Sequence, residues 1–312
     1  MSTFAKRILA AAGKSTNIEM GKKMEKLGGN GPILANAIHY AGFPTRYIGA
    51  LGDPTIHPVF EDFAKRTDAV SLAEPGVTHA LEFRDGKVML GLMDSLENVT
   101  YSSMIEKMGE GPFIDLLSRT DLFAIVNWTM LPYLTQVLQS LVDRIYPNLG
   151  PRDHRSFFFD LADPEKRSDD DLIALLRLLK RFCAFGSTTL GLNLKEAQHV
   201  SRVLGLTVGE SSEEELTTMA RQIRAELHLD CVVVHPTDCA ACATKDETFY
   251  SQGFFTPDPL ITTGAGDHFN AGFAVSRLLG LSPQSALVVG CAFSGHYVRT
   301  AESPSLGAIG AF

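Results

Sequence analysis

The chain has 312 residues, 45% of them hydrophobic and 21% charged, so it can bury a large core and is not of the disordered class. Its formal net charge is −8 and no run of Lys or Arg stands out, which argues against a nucleic-acid-binding surface. No apolar run of about 18 residues is present, so no membrane span is expected. Five cysteines, an odd number in a large chain, indicate reduced thiols and a cytoplasmic protein.

The chain opens with a helix-like stretch, FAKRILAAAG, and a glycine-rich turn follows in LGGNGPILANAIHYAGF, residues 27–43. Gly28 and Gly29 allow a ligand to approach the backbone closely, or an unusual φ. We predict a helix after Pro32 that ends near Gly42. The same residues also fit a tight strand-to-helix turn that binds nothing, and the sequence leaves both interpretations open.

Residues 78–92, THALEFRDGKVMLGL, predict a β-hairpin that turns at Asp85 and Gly86. Two strands alone are marginally stable, so we expect a further segment, such as residues 17–27, to join the hairpin in a small sheet. This small sheet would form a lid on a single domain that spans residues 1–312.

Short buried strands alternate with amphipathic helices in the rest of the chain. One such helix, residues 169–184, has Asp residues in its first turn and Lys and Arg later. The alternation predicts an α/β fold in which a mostly parallel sheet is covered by helices on both faces. The predicted strands are residues 121–127, 155–161, 188–193 and 231–235.

In such a sheet, ligands bind beyond the carboxyl ends of the strands. Four polar residues lie at these ends: Asn127, Asp160, Asn193 and His235. Asp160 belongs to FDLADPEKR, residues 159–167, and this segment is more typical of a solvated loop than of a site.

Asn193 and Glu196 begin a helix directly after a strand, and their spacing of three places them on one face. The pair suits a hydrated Mg²⁺, which keeps several waters and takes few protein ligands. The pattern N-x-x-E is also a variant of the helix capping box, so the structural interpretation stays open.

Cys239 and Cys242 form a C-x-x-C pair, with Cys231 and His235 upstream. No second C-x-x-C completes a four-ligand zinc site. We therefore favour buried thiols over a metal centre at this place.

The segment ITTGAGDHFNAGF, residues 261–273, places three small residues and then Asp267 at the predicted start of a helix. Small residues let a ligand touch the backbone, and the unpaired N–H groups of a helix start suit an anion. Phe269 stands where a dinucleotide-binding fingerprint needs its last glycine, and the Gly-Lys-Ser/Thr of a Walker A loop is absent. The segment predicts a phosphate-binding nest beside a carboxylate, and the alternative is that Asp267 only caps the helix.

The Gly-Gly-Asn turn, YIGALGD at residues 47–53, the hairpin, N-x-x-E and TTGAGDHFNAGF occur in one order along the chain. In this order and spacing they resemble the ribokinase (phosphofructokinase B) family of carbohydrate and nucleoside kinases, over nearly the whole chain. The resemblance implies a ribokinase-like three-layer α/β sandwich with a small β lid. It also implies ATP and Mg²⁺ as cofactors, and transfer of the γ-phosphoryl group to a hydroxyl of a sugar, sugar-like or nucleoside substrate. Members often dimerise through the lid, so a homodimer is expected.

The resemblance implies a role for each residue that matches a family motif. Asp267 is the implied general base, and the start of a helix is expected to keep it ionised. Glu196 is implied to bind Mg²⁺ through water. The implied anion hole for the ATP phosphates is Thr263, Gly264, Ala265 and Gly266. The implied substrate-binding residues are Gly28, Gly29 and Asn30, and the implied nucleotide-binding residues are Asn193 and Thr237.

The sequence departs from the family pattern outside the phosphoryl-transfer residues. The helix-like start replaces a first strand that usually carries a substrate-binding Asp, and Ile33 replaces an Asn that often holds the sugar. Ile261 replaces an Asp that contributes to a monovalent-cation site. In HPTDCAAC, Thr237 and Ala240 replace the glycines of the nucleotide turn.

A kinase is therefore the prediction. The alternative is a catalytically impaired sugar- or nucleotide-binding protein on the same fold. A dehydrogenase is a distant third, because Phe269 interrupts the dinucleotide fingerprint.

Kinase activity should be nearly indifferent to the exchange of K⁺ for Na⁺ or for a bulky organic cation, because Ile261 offers no oxygen ligand. Initial rates at fixed ionic strength measure this. A strong requirement for K⁺ would show that other oxygens build a cation site.

Overall fold

The computed structural model describes residues 1–312 and contains thirteen α-helices and ten β-strands. The strands are β1 Ile48–Ala50, β2 Val70–Ala73, β3 Val77–Phe83, β4 Gly86–Leu92, β5 Leu122–Ile125, β6 Ser156–Asp160, β7 Ser187–Leu192, β8 Cys231–Val234, β9 Cys239–Ala243 and β10 Thr248–Gln252. The helices are α1 Ser2–Ala10, α2 Asn30–Tyr40, α3 Glu61–Arg66, α4 Tyr101–Met108, α5 Glu110–Arg119, α6 Leu134–Ser140, α7 Tyr146–Leu149, α8 Asp169–Phe182, α9 Leu194–Val203, α10 Glu213–Leu227, α11 Ala265–Leu278, α12 Pro283–Thr300 and α13 Leu306–Ala311.

Six strands form the central sheet, in the spatial order β10-β9-β8-β7-β6-β5. Strands β5 to β8 are parallel, and β9 and β10 continue the sheet as antiparallel strands. The predicted mostly parallel sheet is confirmed, and the four predicted strands correspond to β5, β6, β7 and β8. Their carboxyl ends meet at one edge of the sheet, where α/β folds place their ligands.

Both faces of the central sheet are buried, which explains its nearly continuous apolar strands. On one face, Phe157 packs edge-on against Phe182 of α8, with ring centroids 4.9 Å apart. On the other face, Phe158 belongs to a separate core cluster with Phe269 and Phe273 of α11. Successive side chains of a strand point to opposite faces, so one aromatic run fills both cores. The result is the predicted three-layer arrangement of helix, sheet and helix.

Helix α8 follows the predicted pattern closely. Ser168 accepts a hydrogen bond from the backbone N–H of Asp171 and so caps the helix start. The helix ends at Phe182, two residues before the predicted end at residue 184. Helix α2 begins at Asn30 rather than after Pro32, because Gly29 adopts a left-handed φ of 91° and turns the chain into the helix.

Helices α11 and α12 approach each other closely through two glycines. A Cβ at Gly272 of α11 would lie 2.8 Å from the ring of Phe293 of α12. In the reverse direction, a Cβ at Gly290 of α12 would lie 2.9 Å from the ring of Phe269 of α11. Each helix therefore places a phenylalanine in the space that a glycine of the other leaves open.

The hairpin forms as predicted, but the sheet that it was expected to share does not. Strands β3 and β4 pair only with each other, and residues 17–27 form no strand. This expectation is wrong because NIEMGKKMEKL is rich in charged residues and lacks the apolar alternation of a strand. Helix α1 packs on the hairpin instead, with Phe4 and Phe83 at a centroid distance of 5.2 Å.

The C-x-x-C pair lies within strand β9 and does not form a metal centre. Residues three apart on a strand point to opposite faces, and Cys239 and Cys242 accordingly belong to different core clusters. They cannot ligate one ion together. All five cysteines are free thiols, and four of them are buried. None of the helices is both long and apolar enough to span a bilayer.

Candidate active site

Asp267 lies in the first turn of α11 but does not cap it. Gly264 occupies the cap position with a left-handed φ of 96°, so Asp267 is the third residue of the helix. Its carboxylate accepts one hydrogen bond, from Asn30 Nδ2 to Oδ1 at 3.2 Å, and binds no backbone N–H. The interpretation that Asp267 only caps the helix is therefore wrong.

Burial dominates the electrostatics of Asp267, whose surface is only 6% exposed. Loss of hydration raises the pKa of Asp267 to about 7. Two smaller effects act on the same pKa: the hydrogen bond from Asn30 lowers it, and the negative charge of Glu196 raises it. Burial therefore opposes the helix start, which is expected to keep this carboxylate ionised. A pKa near the working pH is what an efficient general base requires.

The backbone before Asp267 presents unpaired donors. The N–H groups of Gly264, Gly266 and Asp267 donate to no acceptor in the protein. Ala265 differs from its neighbours, because its N–H donates to the carbonyl oxygen of Thr262 at 3.2 Å. The predicted anion hole thus has three unpaired donors at a helix start, and Ala265 contributes its small size rather than a donor.

Two of these positions are also tightly packed, so that a Cβ there would require its neighbours to shift by a few tenths of an ångström. A Cβ at Gly264 would lie 3.2 Å from Cγ2 of Ile33, and a Cβ at Gly266 would lie 3.3 Å from Cε1 of His235. Ile33, which replaces the expected Asn, packs against the anion hole. His235 stacks on Phe269 at a centroid distance of 4.6 Å, and burial lowers its pKa to about 4, so the ring is neutral.

Two further carboxylates, Asp160 and Glu196, are buried near Asp267. Asp160 ends β6 and is 7% exposed, so it is not part of a solvated loop. Its Oδ2 accepts a hydrogen bond from Asn270 Nδ2 at 2.8 Å, while its Oδ1 is buried without a partner. Burial raises the pKa of Asp160, and the charges of Glu196 and Asp267 raise it further. An additional proton or cation would therefore be stabilised here.

Glu196 and Asn193 form a helix capping box at the start of α9. Asn193 Oδ1 accepts from the N–H of Glu196, and Glu196 Oε2 accepts from the N–H of Asn193, both at 2.9 Å. Glu196 Oε1 also accepts from the N–H of Asp163 at 2.9 Å. The structural interpretation of N-x-x-E is thus confirmed. It does not exclude a metal role, because each carboxylate oxygen keeps a further lone pair.

The substrate-side residues divide into one that reaches Asp267 and two that do not. Asn30 is 237 positions away from Asp267 in sequence, yet its side chain binds the carboxylate directly. Gly29 turns the chain into α2, and Gly28 has open space beside it. Thr237 is exposed in the turn after β8 and makes no hydrogen bond, so nothing within the protein holds its side chain.

Three residues near Asp267 were given no role in the site from the sequence: Asp160, Asn270 and His235. A signal existed for Asn270, which is three residues after Asp267 on the same helix and faces the same side. His235 and Asp160 were recognised only as polar residues at strand ends.

A family profile described as prokaryotic ketohexokinase matches residues 1–312. The chain belongs to this family. A ketohexokinase from Haloferax volcanii is 28% identical over 314 residues, which cover 100% of this chain and 82% of that protein. Like the other members of the prokaryotic ketohexokinase family, the chain is a carbohydrate kinase, as its motifs predict.

Solved structures confirm the ribokinase-like fold. The ribokinase of Thermotoga maritima superposes with a TM-score of 0.66 at 20% identity, over 91% of this chain and 86% of that one. The adenosine kinase of Schistosoma mansoni, in complex with 2-fluoroadenosine, gives a TM-score of 0.70 at 16% identity, over 100% and 88%. At these identities the comparison concerns the fold alone.

The kcat/KM of the enzyme should rise with pH through about 7 and level off above it, because only ionised Asp267 accepts a proton.

The stability of the protein should follow the opposite trend with pH. The folded protein holds this proton more tightly than the unfolded chain, where an Asp has a pKa of about 3.9. Stability is therefore lost between about pH 4 and the pKa near 7. Unfolding measured against Asp267→Asn isolates this loss, and a pH-independent difference would contradict the raised pKa.

Glu196→Gln should raise the Mg²⁺ concentration for half-maximal rate by roughly 10-fold or more, as loss of a metal-binding contact does. It should also destabilise the protein by about 1 kcal/mol. Each carboxylate oxygen of Glu196 accepts from a backbone N–H, and the NH₂ group of Gln cannot replace one of these acceptors. The Mg²⁺ dependence of the rate and thermal unfolding give the two readouts.

Glu215→Gln is the control, because Glu215 is also the third residue of a helix, α10, but is exposed and accepts a hydrogen bond only from the hydroxyl of Ser212. It should leave both the stability and the Mg²⁺ dependence nearly unchanged. If Glu196→Gln also leaves the Mg²⁺ titration unchanged, Glu196 serves only as a helix cap.

Proposed function

We propose that the protein is an ATP-dependent kinase that transfers the γ-phosphoryl group to a hydroxyl of a ketohexose, with Asp267 as the general base. The observation that carries this proposal is a buried carboxylate, with a pKa near 7, directly beside three unpaired backbone N–H groups. The similarity to a ketohexokinase supports a ketohexose as the acceptor. The family profile supports the same class of acceptor.

Phosphoryl transfer depends on positioning and on neutralising charge rather than on a covalent intermediate. The N–H groups of Gly264, Gly266 and Asp267 would hold oxygens of the transferred phosphoryl group. Asp267 Oδ2 makes no hydrogen bond within the protein, so it is free to take the proton of the attacking hydroxyl. Asn30 holds the other oxygen, Oδ1, and so fixes the direction in which Oδ2 points.

The acidic residues of the cleft fit a magnesium ion. Asp160 Oδ1 is buried without a partner, and Glu196 keeps lone pairs beyond its two backbone hydrogen bonds. Two carboxylates with waters between them match the preference of Mg²⁺ for oxygen ligands and a partial water shell. When bound, Mg²⁺ would neutralise negative charge on the phosphates of the nucleotide. Glu196, through water, and Asp160 would be the residues that hold it.

Dimerisation through the hairpin is part of the proposal. Strands β3 and β4 are mostly exposed, and their exposed apolar side chains are Val77, Met89, Leu90 and Leu92. A two-stranded sheet of this kind is marginal in water unless something covers it. A second copy of the chain would cover it. The free thiols of all five cysteines agree with the cytoplasmic setting that we propose.

The proposal predicts that purified protein phosphorylates a ketohexose in the presence of ATP and Mg²⁺, and that Asp267→Asn lowers turnover by roughly 10²–10⁴-fold. The amide keeps the shape and the hydrogen bond with Asn30 but cannot accept the proton. ATP affinity should persist or increase slightly, since a negative charge beside the γ-phosphate is removed. Coupled assays with a panel of ketohexoses, aldohexoses and nucleosides measure turnover.

Asp170→Asn is the control, because Asp170 is also a first-turn carboxylate but is exposed on α8. It should leave turnover unchanged. Near-normal turnover of Asp267→Asn would refute the assignment of the base. A protein that binds sugar and ATP without any transfer would be the catalytically impaired binding protein instead.

A further inference from the structure

Two consecutive carbonyl groups of the anion hole are bound by side chains, one from the same helix and one from the next helix. Tyr297 OH, on α12, donates to the carbonyl oxygen of Thr263 at 3.1 Å. His268 Nδ1, on α11, lies 2.8 Å from the carbonyl oxygen of Gly264. The two rings stack on each other with centroids 3.7 Å apart and planes 13° apart. On its other side, His268 Nε2 lies 2.9 Å from Oγ of Ser303.

The hydrogen bonds fix the tautomer of His268. A carbonyl oxygen can only accept, so Nδ1 carries the proton that it donates to Gly264. Burial lowers the pKa of His268 to about 4, so the ring is neutral at pH 7 and Nε2 is an acceptor. Ser303 therefore donates to Nε2. Hydrogen bonds thus run from Ser303 through His268 to the carbonyl of Gly264. Tyr297 donates separately to the preceding carbonyl, that of Thr263.

The contact from Tyr297 acts on a backbone N–H that the proposed function assigns to the phosphate. In a planar trans peptide the carbonyl of one residue and the N–H of the next point in opposite directions. When Tyr297 holds the carbonyl of Thr263, it therefore aims the N–H of Gly264. The carbonyl of Gly264 accepts from the backbone N–H of His268 at 3.1 Å as well as from Nδ1, and the side chain adds a second donor that supports the left-handed conformation of Gly264. A glycine-rich turn gains from such external support because its own backbone is so free.

We propose that His268, Tyr297 and Ser303 are positioning residues that hold the anion hole in its phosphate-binding conformation. We call the three the carbonyl clamp. None of them is a donor to the phosphate itself, so their effect passes through the backbone of residues 263–264. Ser303 lies between α12 and α13, so the clamp makes the segment after α12 part of the phosphoryl-transfer apparatus. This inference rests on the proposed kinase function.

The decisive variants remove single donors. Tyr297→Phe deletes one hydroxyl and keeps the ring that stacks on His268, and we expect kcat to fall by about 10-fold. His268→Ala removes the side-chain donor to the carbonyl of Gly264, the hydrogen bond with Ser303 and the ring that stacks on Tyr297. We expect kcat to fall by about 100-fold, as it does when catalytic groups are misplaced. KM for the sugar should change by no more than about 3-fold in both, because the clamp does not touch the sugar side.

His268→Asn separates the donor from the packing. The side-chain amide of Asn places an N–H at the same distance from Cβ as Nδ1 of His, so it can still donate to Gly264. We expect it to recover a large part of the turnover that His268→Ala loses. The matched control is Tyr250→Phe, which removes a tyrosine hydroxyl that binds Gln252 on the far edge of the sheet, and it should leave kcat unchanged.

Calorimetric binding of ATP in the absence of sugar gives a readout that does not depend on turnover. Tyr297→Phe and His268→Ala should weaken ATP by about 10-fold or more, with thermal unfolding used to confirm that each variant is folded. If the wild-type protein binds ATP but phosphorylates no sugar, the proposed function fails while these affinities still decide the clamp. Unchanged kcat and ATP affinity in both variants would overturn the clamp. So would His268→Asn behaving no better than His268→Ala, or wild-type protein that does not bind ATP.

Discussion

Removing a carboxylate from water costs free energy that only hydrogen-bond donors, a proton or a cation can offset, and three carboxylates of this protein are buried in one cleft. Their donors come from elements far apart in the chain. Asn30 binds Asp267 and Asn270 binds Asp160, while two backbone N–H groups bind Glu196. Because folding has already desolvated these groups, a cation that binds among them does not have to desolvate them again. The cleft is in this sense organised for its ligand before the ligand arrives.

The central sheet explains why these groups meet. Parallel strands place their carboxyl ends at one edge, where Asp160 ends β6 and β7 leads directly into the start of α9. The start of α11, which carries the unpaired N–H groups, lies near the same edge, where Asn270 of this helix binds Asp160. The side chains of this helix are buried along most of its length, so the position of Asp267 is set by the core rather than by a surface loop. A carboxylate that is held rigidly by the core suits chemistry that depends mainly on positioning.

Local patterns in the sequence were sufficient for the scaffold and for the central motif. Helix α8, the strands around it and the hairpin follow from periodicity and turn residues, and the proposed anion hole was inferred from its small residues. What local patterns could not supply are the contacts between distant segments. The pairing of Asn30 with Asp267, and of Tyr297 with Thr263, joins residues whose proximity depends on the complete fold. The raised pKa of Asp267 also escaped prediction, because burial depends on every element packed above it. Residues 17–27 were assigned to a sheet only because the hairpin needed a partner, and α1 supplies the packing instead.

The interlocked glycines and phenylalanines of α11 and α12 have a consequence for how the family can diverge. One helix carries Asp267 and the other carries Tyr297, so the spacing between them sets the geometry of the anion hole from a distance. Gly272 and Gly290 can gain a side chain only if Phe293 and Phe269, respectively, become smaller. Each glycine and its phenylalanine should therefore change together among homologues. Such paired changes would show that packing in the core, away from any residue that touches a ligand, limits which substitutions the family accepts.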